Sequence, residues 1–356
     1  MLDRCPSPRA ARWRRLVAAL LVAWTSSSAQ HLDGTLLVAN REDVAGSVSW
    51  FDLETRREIA RVPIGPGWPH EIAVSPDGRL ALTAEYGLDA PGERIAVLDI
   101  VAARLLGHIF TGPGSKPHDS VFLPDSRHAI VTLETTDELA VVDVEALAVV
   151  RRLPIGSRAR EGHMIALSAD ARQVYVGGRV SGTVSIVPLE GSAAARVLQT
   201  GAGAEAIATA SNGEIWVLNQ DADTISIVDP AATTILTTFA SATQPRRLAS
   251  VPGGRMAIVN GNAQSAGIRL YDAATREVVQ ELGVPGEAAG AGGFGFLAVG
   301  AALFVSTRAD GRILLYDLEQ PQQAPRAFAT NHETPDGMAW SPLRVEALTD
   351  RQKRSP

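Results

Sequence analysis

Pro69-His70-Glu71-Ile72-Ala73-Val74-Ser75-Pro76-Asp77-Gly78-Arg79-Leu80-Ala81-Leu82-Thr83 reads as strand, turn, strand. Ile72 and Val74 form a short apolar run. Pro76-Asp77-Gly78 is turn chemistry, with a glycine free to take positive φ, and Leu80 and Leu82 begin a second strand. Variants recur as Pro117-His118-Asp119-Ser120-Val121-Phe122 and Gly162-His163-Met164-Ile165-Ala166-Leu167, and more loosely at 204–208, 245–249 and 294–299. A second marker, an apolar strand ending in Asp, falls at Asp52, Asp99, Asp143, Asp229, Asp272 and Asp317, with Pro188 in the fourth place. The spacings are 47, 44, 45, 41, 43 and 45 residues, which makes seven copies of one unit. Four short strands per unit is the pattern of a β-propeller blade.

The ends decide how the ring closes. Thr35-Leu36-Leu37-Val38-Ala39-Asn40 matches the second strand of a blade whose first strand is missing. Pro335-Asp336-Gly337-Met338-Ala339-Trp340-Ser341-Pro342 aligns with Pro69 to Pro76 and supplies that strand. The expected fold is all-β: a seven-bladed β-propeller of four-stranded antiparallel blades over 30–342. Its ring is closed by the C-terminal strand joining the N-terminal blade, which leaves no inner edge unpaired. Residues 343–356 read as a polar tail, and the Gly-rich stretch 286–293 as a loop.

Arg4, Arg9, Arg12, Arg14 and Arg15 precede a short apolar run, 16–24, and small residues at 27–29, so 1–29 reads as a cleavable secretion signal. Its five Arg and one Asp, once removed, shift the formal charge from −6 to −10. That acidity disfavours nucleic acid as a partner. With 46% hydrophobic and 20% charged residues the chain is not of the disordered class. Cys5 is the sole cysteine, so the mature chain has no disulfide and no c-type haem attachment site. These features predict a periplasmic or secreted monomer with no membrane span after cleavage. Its partner is expected to be a small-molecule ligand or another exported protein.

The units resemble the YVTN-type repeat, the family that includes YncE-like periplasmic propellers. The resemblance is carried by the run at 69–79 and by Thr35–Asn40, Val174-Tyr175-Val176 and Ile215-Trp216-Val217-Leu218-Asn219. It implies a propeller of the superfamily that contains binding proteins, lactonases, a lyase and haem-carrying domains. The haem-binding propeller of dissimilatory nitrite reductase, a more distant likeness, has eight blades, which argues against haem here. In such propellers ligand sites lie where the innermost strands begin.

Aligned on the repeat, that position holds His70, His118, His163, Glu205, Arg246, Gly295 and Asp336, with Glu71, Asp119 and Arg247 next to it. Asp336, His70, His118 and His163 come from consecutive blades and form a ligand set for a divalent metal. A second ring, from the ends of the second strands, offers Asn40, Glu85, Glu134, Arg179, Asn219, Asn260 and Arg308. The histidines equally suit structural channel lining or acid–base chemistry. Trp68 is placed to cap the channel, and His332 lies in a connection on the same face. His108 and His128 read as packing or surface residues, and His31 adjoins the cleavage site. Trp50, Trp216 and Trp340 read as packing residues.

Three functions fit this sequence: a binding or scaffold module with its site at the channel mouth, a metal-assisted lactonase or lyase, and an accessory subunit of a periplasmic redox system. The ligand of the first is a small anion, a metal or a protein.

Overall fold

The computed structural model describes residues 32–42, 45–87, 90–261, 266–285, 295–308, 310–330 and 334–346. The signal segment, Cys5, His31, His332, the Gly-rich loop and residues 347–356 lie outside these. The described chain is a ring of seven four-stranded antiparallel sheets. Blade 1 combines Pro335–Ser341 with Thr35–Asn40, Gly46–Asp52 and Arg57–Gly65. Blades 2 to 7 follow in chain order, and their innermost strands are Pro69–Val74, Pro117–Phe122, Gly162–Leu167, Ala204–Thr209, Pro245–Val251 and Phe296–Val299. Each innermost strand packs beside those of its two neighbours, and Pro335–Ser341 lies between the innermost strands of blades 7 and 2.

Both repeat markers have a local physical cause. In the opening stretch Gly78 takes φ +76°. The Ser75 hydroxyl donates to Asp77 and accepts from the Leu80 amide at 2.9 Å. Ser168 and Asp170 repeat this turn in blade 4. The Asp that ends each third strand accepts amides from the turn behind it: Asp52 from Thr55, Asp99 from Ala102, Asp143 from Ala146 and Asp272 from Thr275. A short acidic side chain that satisfies one or two turn amides defines where one strand ends and the next begins.

The core lies between blades. Seven apolar clusters fill the seven interfaces, from Trp50 against Leu98 between blades 1 and 2 to Phe304 against Leu36 between blades 7 and 1. Trp50 and Trp216 are fully buried, and the Trp50 indole donates to the Ile100 carbonyl of the next blade at 3.0 Å. Trp340 packs at the edge of the blade 7–blade 1 cluster and donates to Asp33. The outermost strands consist mainly of exposed and half-buried residues, which alternate along most of Arg57–Gly65.

The start of the expected tail is anchored. Leu343 accepts the Thr35 hydroxyl, the Glu346 amide donates to Val101, and Val345 packs on the blade 1–blade 2 core. Among the described residues there is no α-helix, only a 3-10 turn at Gln220–Ala222, and no helix long and apolar enough to cross a membrane.

Candidate functional site: a charged cavity at the channel mouth

The site is built by β-bulges. In blades 1 to 6 the register between innermost and second strands shifts by one residue. The extra residues fall at Asp336-Gly337, His70-Glu71, His118-Asp119, His163-Met164, Glu205 and Arg246. A bulge breaks the alternation of side chains and re-aims them. Here it turns polar groups from consecutive blades toward one point on the axis.

That point is a cavity of about 230 Å³. The bulges contribute His70, His118, His163, Glu205 and Arg246 to its wall, with Arg247 beside them. Arg41, Tyr86, Arg179 and Arg308 enter from the ends of the second strands, and Glu161 from the lead-in to blade 4. The second ring is thus divided by register. Asn40, Glu85, Asn219 and Asn260 sit opposite the first residue of their blade's innermost strand. Their side chains are bonded within the blades, or for Asn260 to the connection between blades 5 and 6, and are not in the cavity wall. Asn40 binds Ser47 and Ser49, Glu85 binds Arg94 and His108, Asn219 binds Thr224 and Ser226, and Asn260 binds Ser241. The residue one step further along, Arg41 or Tyr86, faces the axis, because successive side chains in a strand point to opposite faces. Glu134, Arg179 and Arg308 already occupy that further step.

Two ion clusters surround the cavity. At blades 7, 1 and 2, Asp336 accepts from His70 Nδ1 at 2.6 Å, pairs with Arg41 Nε at 2.5 Å and pairs with Arg308. Burial alone would raise the Asp336 carboxyl, but His70, Arg308 and Arg41 outweigh it and hold it far below the usual carboxylate range. At blades 3 to 6, His163 Nδ1 lies 2.6 Å from Glu134 and its Nε2 lies 3.3 Å from Glu205. Burial disfavours a charge on His163, but the two carboxylates outweigh it and raise its pKa to about 9. Arg179 Nε donates to Glu205 at 2.8 Å. Lys116 Nζ sits 2.6 Å from Glu134 and 4.4 Å above the Tyr86 ring.

Arg247 links the clusters across the axis. It donates to Glu71 of blade 2 at 2.9 Å and to Glu205 of blade 5 at 3.1 Å. It is itself in the innermost strand of blade 6. Asp119 serves the frame instead. Its carboxylate accepts the amides of Ser120 and, across the blade boundary, Ile165. Burial, and secondarily Glu71, raise its pKa to about 7.

His118 is unlike its repeats. It stacks on His163 at 3.8 Å between ring centroids and meets the edge of His70 at 4.5 Å. Its side chain is fully buried, and neither ring nitrogen has a hydrogen-bond partner. Burial, then the charges of His163 and His70, push its pKa well below the ordinary value. The ring position of blade 7, residue 294, lies outside the described residues; Gly295 stands one residue further, in the register of Glu71 and Gly337. A Cβ there would lie 1.9 Å from the Asp336 carbonyl.

Trp68 packs under the Arg41 guanidinium at 5.4 Å and donates to the Glu42 carbonyl, so it holds Arg41 and is not part of the cavity wall. His108 binds the Ile64 carbonyl and Glu85 between blades 1 and 2. His128 pairs with Asp125 in a turn. Arg41, Tyr86, Lys116 and Glu161 are the site residues that the repeat alignment missed. Lys116 carried a compositional signal, being the sole lysine before residue 353 in an arginine-rich chain.

Seven blades, a closed ring and a polar channel mouth define the class as a seven-bladed β-propeller. Among solved structures it is similar to a functionally unknown protein from Desulfotomaculum acetoxidans, with a TM-score of 0.69 and 13% identity over 88% of this chain and 100% of that one. It is also similar to a chain of Kuenenia stuttgartiensis hydrazine synthase, with a TM-score of 0.60 and 15% identity over 71% of this chain and 77% of that one. No protein-family model and no curated protein matches the chain.

Proposed function

We propose that this chain is an exported, YVTN-type propeller that binds a small anion at its channel mouth. The observation that carries this reading is the composition of the cavity wall. Five guanidinium groups, from Arg41, Arg179, Arg246, Arg247 and Arg308, face two carboxylates, Glu161 and Glu205. The carboxylates are shared: Asp336, behind the wall, serves both Arg41 and Arg308, and Glu205, in the wall, serves both Arg179 and Arg247. Cationic groups converging in a partly dry concavity favour an anionic guest, and guanidinium forks match carboxylate and oxyanion geometry. The volume suits a ligand of few heavy atoms. Export rests on the arginine-rich N-terminal segment and on the cysteine-free mature chain.

The test is a thermal-shift screen of the EDTA-treated protein against phosphate, sulfate and short mono- and dicarboxylates. At least one anion is expected to raise Tm, through a gain of about 2.7 kcal/mol at a hundred times its Kd. Arg308→Ala and Arg179→Ala should both diminish that gain. If no anion raises Tm, the reading fails. Turnover of a lactone panel by the same preparation would replace it with the hydrolase alternative.

A further inference from the structure

We infer that His118, Glu134 and His163 form a site for one borderline divalent transition-metal ion of the Zn²⁺ type, on the blade 3–blade 4 side of the cavity. The ligand atoms of these three buried residues lie within 4.8 Å of one another. Two imidazoles and one carboxylate are the donor set such ions take, and a fourth position open to solvent or ligand completes a tetrahedral site. The independent observation is His118. A fully buried imidazole with no partner on either nitrogen is costly unless something else satisfies it. Its Nε2 lies 3.9 Å from Glu134 Oε1, a spacing that a metal ion bonded to both atoms can bridge.

The surroundings are those of a supported metal site. A metal ion taking the place of the proton between His163 Nδ1 and Glu134 Oε1 opens this 2.6 Å contact to the roughly 3.3 Å that two ligands of a tetrahedral ion span. His163 Nε2–H then still points at Glu205, 3.3 Å away, as a carboxylate–histidine–metal relay requires. The other oxygen of Glu134 is held by Lys116 at 2.6 Å, which fixes the carboxylate in a one-oxygen ligand pose. His70 and Asp336 fall outside the set, because Asp336 is already shared by His70, Arg41 and Arg308. The site therefore replaces the four-residue set expected from the repeat with three residues, one of them from a second strand's end.

The experiment titrates the EDTA-treated mature chain with Zn²⁺ alone by calorimetry, and with Co²⁺ followed by visible absorption. One equivalent should bind, and Co²⁺ should develop the absorption of a low-symmetry site with nitrogen ligands. His118→Ala should weaken Zn²⁺ binding by more than about 100-fold. Glu205→Gln, which removes the charged relay partner together with its pairing to Arg179 and Arg247, should weaken it by about 10- to 100-fold. His128→Ala, in a surface turn, should change nothing. His118→Ala removes no hydrogen bond, and an unchanged circular dichroism spectrum will show that it folds. Absence of stoichiometric Zn²⁺ binding, or binding that survives His118→Ala, would overturn the inference. Because the anion screen is run without metal, either result stands apart from the anion reading.

Discussion

Arg247 is the residue on which the cavity depends most. Its guanidinium is largely buried and carries both Glu71 and Glu205. Removing it leaves the half-buried Glu71 without its guanidinium and Glu205 with only Arg179 and His163. Arg247→Ala should therefore cost about 3–5 kcal/mol in chemical denaturation. Arg247→Lys should recover only part of this, since an ammonium cannot span both carboxylates as a fork does. His163 sets the pH response of the metal-free protein. Its pKa rises from an ordinary 6.5 to about 9 on folding. The folded state thus holds a proton that the unfolded state gives up, and the stabilisation is complete below about 6.5 and lost as pH climbs through 9. Thermal melts between pH 6.5 and 9.5 should show Tm falling, with a flatter profile for His163→Gln.

At the scale of the element, the bulge that opens the innermost strands of blades 1 to 6 is the working part. It explains what the sequence showed and what it hid. The first ring was legible where a copy starts at a recognisable Pro-His, Gly-His or Pro-Asp step, so His70, His118, His163 and Asp336 align without ambiguity. The second ring was not, because the second strands end without a shared marker. A phase error of one residue there exchanges axis-facing and blade-facing side chains, which is why Asn40 and Glu85 stood in for Arg41 and Tyr86. Bulges also bring backbones close. A Cβ on Gly337 would lie 2.2 Å from the His70 carbonyl and 2.8 Å from the Glu71 Cα, both backbone atoms. Gly337→Ala should cost about 1–3 kcal/mol by forcing blades 1 and 2 apart. Gly283→Ala, in an outermost strand with nothing near its Cβ, should be close to neutral in the same denaturation experiment.

At the scale of the molecule, strand exchange between the termini ties the ring and the site together. The strand Pro335–Ser341 completes blade 1, seats Asp336 in the ion cluster and covers the core beside Leu36 and Val38. A chain ending at residue 334 should lose cooperative unfolding and aggregate through the bared edge of Thr35–Asn40. The fold was legible from period and ends alone, because seven near-equal units, one of them with three strands at the N-terminal end and its fourth at the C-terminal end, admit one closed arrangement. The sign of the site was not. It depends on which arginines share which carboxylates, and only the assembled ring shows that. Calorimetric titration of the metal-free protein with the best anion of the screen, at low and high salt, measures that sign directly. One anion bound per chain, with an affinity that falls as salt rises and is lost in Arg308→Ala, is the expected result. No binding, or binding indifferent to both salt and Arg308, would contradict it.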